Sequence, residues 1–480
     1  MVTTTLIVLP LAGALLVALL PLPRRATGFL AFAIALVEVA RWIIAAAQYD
    51  YDKGGLQLAT STEWVKSLGI SYSVGFYGFS IWLTGVTVIV SAAAIGYAVW
   101  VGRERPRAYH ALMLGLMGAV VATFAAQDLL LFYVSFEAML IPLYVLVGVW
   151  GGERRGTATL TFVVYTMVGS LLMLAAVVAY GVSQGTFSLL DSGTSDNTWI
   201  FLGFAVAFAI KAPLFPFHGW LPLAYREAPV EVAAVLSAIV SKTAVFGFLR
   251  IALPKFPQPV DDLRGLILVL AGAGLVYGSV LAFRSADLRG IVAYSSLAQM
   301  GLIVVGIFAF NDLGLDGAVL QSVNHALISA SMFLLVGMVE RRTGTGDVSA
   351  LGGMARGRPV LATVLLVAGM IALAVPGSTT FAGEFLIMAG AYGQGWGYSA
   401  IVALGVILAA MYVLRLISAV LHEAPGRAVR DEARDLRPTE LTLVLPLVAC
   451  LLVLSFWPAL VSESSFAGDH GAKVIAEELR

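Results

Sequence analysis

The chain has 480 residues, of which 60% are hydrophobic and only 12% charged. A water-soluble domain is about 45–50% apolar and about 25% charged, so no soluble core of this length accounts for the composition. The 29 basic and 29 acidic residues cancel, which excludes a polybasic nucleic-acid footprint, and the single Cys450 excludes an intramolecular disulfide framework or a cysteine-ligated cluster.

A membrane helix needs roughly 20 mostly apolar residues, and in lipid each segment must satisfy its own backbone hydrogen bonds. In chain order such segments fall at 2–22, 26–48, 78–101, 109–126, 127–150, 157–183, 199–222, 230–253, 263–283, 290–310, 317–339, 359–391, 398–421 and 439–462. They predict an all-α polytopic membrane protein of about fourteen transmembrane helices. The first segment is expected to be retained, because Arg24 and Arg25 follow its apolar run instead of preceding it. Only Gln127 and Asp128 divide 109–150, where two helices are expected, with Asp128 at a boundary suited to an N-cap. Between spans, the alternation in GISYSVGFYG predicts a short hairpin within 49–77. Residues 184–198 read as a polar loop, and the Gly- and Arg-rich 340–358 as a flexible connection. A short surface helix is one reading of 422–438.

Charge placement tests the helix count. Eighteen arginines, from Arg24 to Arg437, follow odd-numbered segments, whereas only Lys53, Lys66, Lys255 and Arg264 follow even-numbered ones. That asymmetry is the positive-inside signal. It predicts cytoplasmic odd-numbered connections and both termini on the outer side.

Two segments carry similar interruptions. AIKAPLFPFHGWLP puts Pro213 and Pro216 in the middle of the seventh, and IALAVPGSTTFAGEF puts Pro376-Gly377 in the middle of the twelfth. Proline removes a helical donor and clashes with the preceding turn, freeing polar backbone at membrane depth. Paired broken helices five segments apart point to two inverted five-helix repeats, helices 4–8 and 9–13, with an ion path between them. The alternative is two ordinary proline kinks. The implied units are 1–108, 109–253, 254–421 and 422–480.

Five ionisable residues stand inside these spans: Glu137, Lys211, Lys242, His325 and Glu384. A central charge costs about 2.5–3.5 kcal/mol on insertion scales, so each needs a partner or a purpose. Together they form a row of groups able to pass protons. Structural alternatives stay open for Lys211, which would satisfy carbonyls freed by Pro213, and for His325 as a hydrogen-bonded core histidine. Glu38 and Arg41, one helical turn apart, read as a neutralising pair. Arg250 and Arg415 read as snorkelling side chains, and His218 and Trp220 as interfacial. With no GxxxxGK[ST], no GxGxxG after a strand and only scattered histidines, no nucleotide, haem or metal site is indicated, and no cofactor is expected in this chain.

The residues carry a resemblance. FEAMLIPLYVLVGVWG (136–151), AIKAPLFPFHGWLP (209–222), EAPVEVAAVLSAIVSKTAVFGFLR (227–250), DLRGIVAYSSLAQMG (287–301), NHALISASMFLLVG (324–337), LGGM (351–354) and AVPGSTTFAGEF (374–385) occur in one order. In that order the chain resembles the antiporter-like membrane subunits of bacterial NADH-quinone oxidoreductase, respiratory complex I. The resemblance implies proton translocation in the bacterial inner membrane, driven by electron transfer from NADH to quinone in other subunits. It also implies half-channels joined by a central lysine, with sister subunits L and N as neighbours. Glu137, Lys211, Lys242, His325 and Glu384 match the family's helix 5 glutamate, helix 7 and 8 lysines, helix 11 histidine and helix 12 glutamate. Glu384 resembles the subunit M branch, since L and N usually carry lysine there. Leu223, Val230-Glu231, Arg289 and Gln299 depart from the family pattern, which bears on the cytoplasmic hydrogen-bond network. Multisubunit cation/proton antiporters and membrane-bound hydrogenases share these helices and are the alternative.

Overall fold

A computed structural model describes residues 1–430 and 434–466. The tail beyond 466, and residues 431–433 of the connection where a surface helix is one reading, lie outside the described residues. Helices α1 (Val2–Leu19) and α2 (Arg24–Gln48) precede an antiparallel hairpin of β1 (Gln57–Val65) and β2 (Ile70–Phe76). Then follow α3 (Gly78–Val101), α4 (Pro106–Ala125), the pair α5 (Leu129–Ala138) and α6 (Leu140–Trp150), and α7 (Arg155–Gln184). Helices α8 (Thr198–Lys211) and α9 (Leu221–Glu227) flank the first break. The next span is one continuous rod in which α10 (Val230–Val235), α11 (Lys242–Gly247) and α12 (Leu253–Lys255) alternate with π-helical turns at Leu236–Val240 and Phe248–Ala252. Beyond it lie α13 (Pro257–Arg284), α14 (Leu288–Ile307) and α15 (Asp312–Thr343). Helices α16 (Pro359–Ala372) and α17 (Thr379–Tyr392) flank the second break, followed by α18 (Trp396–Leu421), α19 (Pro438–Phe456) and α20 (Ala459–Ser465).

Among the described residues, twelve helices are long and apolar enough to cross a membrane, counting α5–α6 and α10–α12 as one span each. Helices α8 and α16 are apolar but have 14 residues each, about 21 Å at 1.5 Å per residue. That is shorter than a bilayer core of about 30 Å, as expected where proline stops a span midway.

Lipid is as apolar as a side-chain core, so outward helix faces stay hydrophobic. Phe29 on α2, and Leu171 and Val182 on α7, are 61%, 59% and 75% exposed. The α10–α12 rod is enclosed almost completely, and so is most of α15. These two helices carry the buried Lys242 and His325.

The hairpin forms as its alternation predicts, with Thr62 opposite Tyr72. It is tied to the helices by Gln127 N–H donating to Ser73 O at 2.9 Å. Asp128 caps α5: its Oδ1 accepts from Leu130 N and Leu131 N at 2.9 and 3.1 Å, and its Oδ2 from Ser71 N at 3.1 Å. The connection 340–358 is more ordered than its composition suggests. Leu288 N donates to Gly346 O and Val348 N to Ala286 O, both at 2.9 Å, and Asp347 caps the turn Val348–Ala350. The carboxylate of Asp347 takes both the Oγ–H and the N–H of Ser349, which holds it below its usual range.

Three sequence readings are corrected. Glu38 and Arg41 share a helix face but do not pair: the α1–α2 packing turns Arg41 to Thr5 Oγ1, while both carboxylate oxygens of the fully buried Glu38 lack a hydrogen-bond partner. Arg250 does not snorkel but donates to Gln127 Oε1 at 3.0 and 3.1 Å and to Leu189 O at 2.9 Å. Arg415 likewise serves carbonyls, those of Phe283 and Ser285.

Candidate functional site

The first break determines where Lys211 sits. Pro213 has no N–H and its ring crowds the preceding turn, so α8 ends at Lys211 and Leu214 N reaches back to Ala209 O at 2.8 Å. Ile210 O, which Leu214 N–H would serve in a regular helix, takes the indole N–H of Trp220 at 2.9 Å instead. Trp220 is 1% exposed and is therefore a brace for the break, not the interfacial residue its position suggested. His218 is half-buried, stacked on Phe215 and edge-on to Tyr277.

Lys211 is buried. Its Nζ donates to Phe136 O at 3.3 Å and lies 4.3 Å from the centre of the Phe136 ring. The carbonyl it serves thus belongs to α5 and is not one freed by Pro213. Glu137 follows Phe136 in sequence but is only half-buried, and no ion pair joins it to Lys211. It lies on the outer face of α5–α6, with Val134, Ile141 and Tyr144 exposed at 45%, 68% and 53%.

Lys242 follows the first π-helical turn and is fully buried. Such turns widen a helix and free backbone groups, often at functional sites. Lys242 Nζ donates to Ser237 O at 3.0 Å and Ser241 Oγ at 3.3 Å, and it is in direct hydrogen-bond contact with Nδ1 of His325 on α15. No hydrogen bond joins Lys211 to Lys242. Phe132, Phe136, Phe208, Phe246 and Phe248 pack in their neighbourhood with ring centres 5.4–6.2 Å apart.

One helical turn from His325, at Gln321, a separate chain of amides begins. Gln321 donates to Gln299 Oε1 at 2.7 Å, and Gln299 donates to Glu384 Oε1 at 3.1 Å. Glu384 is buried on α17 just past the second break, and its Oε2 has no partner. Asn324 links the same group to the break by donating to Thr379 O at 2.9 Å and accepting from Thr379 Oγ1 at 2.8 Å. A cavity of about 40 Å³ lined by Gln299, Gln321, His325, Ser329, Thr380 and Tyr412 lies along this path. It has room for ordered water with several polar partners. A hydroxyl cluster adjoins it: Ser237 Oγ donates to Ser296 Oγ at 2.9 Å and shares a 2.5 Å bond with Ser329 Oγ.

The structure therefore brings Lys242 and His325 into contact and joins Gln321 and Gln299 to Glu384, with His325, Gln321 and Gln299 around one cavity, while Glu137 and Lys211 lie outside these contacts. Gln321, Asn324, Tyr412 and the three serines escaped the sequence reading, which concentrated on ionisable groups. A signal existed, since Gln321, His325 and Ser329 recur every four residues on one face of an otherwise apolar helix. The departures from the family pattern also find roles. Glu231, fully buried, accepts from Arg103 Nε and Nη2 at 2.7 Å each and from Tyr109 Oη at 2.6 Å. Arg289 clasps Glu340 and also donates to Arg226 O and Ala228 O. Among the described residues, no group of three or more His, Cys, Asp or Glu is arranged to hold a metal ion.

Residues 126–411 match the family described as NADH:quinone oxidoreductase/Mrp antiporter, transmembrane. The chain is 33% identical to NADH-quinone oxidoreductase subunit M of Rhodobacter capsulatus, over 95% of this chain and 93% of that one. In structure it is similar to a chain of respiratory complex I from Thermus thermophilus with bound NADH, with a TM-score of 0.91, 32% identity and full coverage of both chains. It shares its fold with a chain of the Mrp complex from Dietzia sp., with a TM-score of 0.84 and 21% identity, covering 100% of this chain and 55% of that one. With this coverage and identity, the chain belongs to the NADH:quinone oxidoreductase/Mrp antiporter family of membrane proteins.

Proposed function

We propose that the chain is a proton-translocating membrane subunit of a respiratory NADH-quinone oxidoreductase, of the subunit M type, with electron transfer carried out by other subunits. The observation that carries this reading is the buried contact between Lys242 and His325, with the Gln321–Gln299–Glu384 chain across the adjoining cavity. Two basic groups in contact in a low dielectric repel strongly if both are charged, so the pair holds at most one proton, which can pass between its members. Glu137 faces outward, where a neighbouring subunit can alter its charge, and Lys211 lies behind it as the first inner group to respond. The proton then moves by way of Lys242 and His325 to Glu384 and the far side. Each charge carried against 100 mV requires about 2.3 kcal/mol, which the redox partners supply.

The same reading has fourteen crossings, with each broken pair, α8–α9 and α16–α17, completing one. The two breaks close alike: Leu214 N bonds Ala209 O and Val375 N bonds Met370 O, each five residues back. This likeness supports inverted repeats over helices 4–8 and 9–13. Both termini then lie on the outer side of the bacterial inner membrane, with subunits L and N as neighbours. The lower identity and partial coverage of the Mrp chain favour the oxidoreductase over the antiporter alternative.

The test measures NADH-driven acidification of inverted membrane vesicles alongside NADH oxidation for complexes carrying Glu137→Ala or Lys211→Ala. Largely abolished acidification is expected. An assembled Glu137→Ala complex that pumps normally would refute the reading.

A further inference from the structure

A second polar site lies where the first turn of α2 meets the end of α3 and the start of α4. Here an open cavity of about 320 Å³ is lined by Arg24, Arg25, Phe29, Arg103, Pro106 and His110, among others. Arg103 is committed to Glu231, but Arg24 and Arg25 are exposed and make no ion pair among the described residues. They occupy the first two positions of a 25-residue helix, where the dipole and unused N–H groups already present positive charge. Two further cations there repel the helix end unless an anion sits between them.

His110 supplies the independent sign of a ligand. It is 2% exposed, lines this cavity, and its Nδ1 has no hydrogen-bond partner. A buried donor or acceptor left unpaired is unfavourable, and a ligand that pairs it relieves that cost. Gly28 lets α2 approach this corner closely, since a Cβ there would stand 3.0 Å from Val99 Cγ2 and 3.3 Å from His110 Nε2. Below the arginines, Phe29, Leu36 and Ile43 repeat every seven residues down the same outward face of α2, exposed at 61%, 48% and 55%. A cationic cradle at a helix end with an apolar stripe running from it into the membrane has the shape of a phospholipid.

We propose that this cavity binds the phosphodiester headgroup of an anionic phospholipid, held by Arg24, Arg25 and the imidazole of His110, with its acyl chains along Phe29, Leu36 and Ile43. Arginine suits the group because its planar fork donates two hydrogen bonds to phosphate oxygens. The site is independent of proton transfer, so its test does not depend on pumping.

The intact complex, purified in mild detergent with native lipid, is compared with one carrying Arg24→Gln and Arg25→Gln together, and retained phospholipid is counted by mass spectrometry. Loss of one tightly held anionic phospholipid per complex, with zwitterionic lipid unchanged, is the expected result. An unchanged anionic lipid count overturns the proposal. If the variant fails to assemble, the native complex is labelled with a photoreactive phosphatidylglycerol analogue, and the adduct should map to α2 or to the start of α4. Absence of label there overturns the proposal, as does label displaced by inorganic phosphate alone, which would mean a soluble-anion site. A crosslink from Arg24 or Arg25 to an acidic residue of a neighbouring subunit would also overturn it.

Discussion

Replacing Lys242 with methionine separates function from stability. Three acceptors meet the ammonium: Ser237 O, Ser241 Oγ and His325 Nδ1. Ser237 O keeps a second donor in Lys242→Met, because Ser241 Oγ already reaches it at 2.8 Å. Only His325 Nδ1 is left unmatched, at a cost of about 1–3 kcal/mol. Against that, the variant no longer takes a basic, strongly hydrated group out of water at mid-membrane, a cost of similar size. The methionine chain fills nearly the same volume, so no cavity term is added. The two effects nearly cancel, and thermal dissociation of the purified complex should be unchanged or slightly delayed. Acidification of inverted vesicles at matched NADH oxidation should fall to background. A complex that dissociates at a much lower temperature, equivalent to losing more than about 3 kcal/mol, would mark Lys242 as a structural strut. Retained pumping would refute its place in the proton row.

Other substitutions probe the scaffold. Glu231→Ala leaves Arg103 partly buried and uncompensated and Tyr109 without its acceptor. It should cost about 3–5 kcal/mol, read as reduced incorporation of the subunit into the complex, with Glu231→Gln intermediate. Trp220→Phe keeps the ring but strips Ile210 O of its donor, and about 1–3 kcal/mol of local stability should go with it. Faster hydrogen exchange across residues 209–216 would register the loss, and unchanged exchange would refute the bracing role. Asp128→Ala removes a helix cap and the tie to Ser71. A loss of about 0.5–2 kcal/mol should appear as easier proteolysis of the hairpin 57–76 in right-side-out vesicles if that face is external.

The aromatic packing near Lys211 and Lys242 bears on the order of events. Phe132, Phe136, Phe208, Phe246 and Phe248 offer no hydrogen-bonding groups on their rings, so a proton does not cross them without water. No hydrogen bond links Lys211 to Lys242, so the proposed transfer between them needs water. The small cavity beside His325 and Gln299 sets Gln321, Gln299 and Tyr412 near the way toward Glu384, with Gln321 bonded to Gln299 and Gln299 to Glu384.

The order of spans, the hairpin, the Asp128 cap and both broken helices were legible in the sequence. Each follows from local rules: apolar length, period-two alternation, a carboxylate at a helix start, and proline's missing donor. The five ionisable groups were legible for the same kind of reason, because a charge inside an apolar run is conspicuous wherever it points. The partners of those groups were not. Lys211 and Phe136 are 75 residues apart, Lys242 and His325 are 83 apart, and Gln299 and Glu384 are 85 apart. No periodicity links such positions. The same limit misled the reading of Glu38 with Arg41 and of Trp220, where spacing along one helix suggested a role that packing against another helix decided. What the sequence alone determined is which residues cannot face lipid unassisted, since that is a property of each segment. Which of them touch is decided by how helices distant in the chain pack, because a hydrogen bond reaches only about 3 Å.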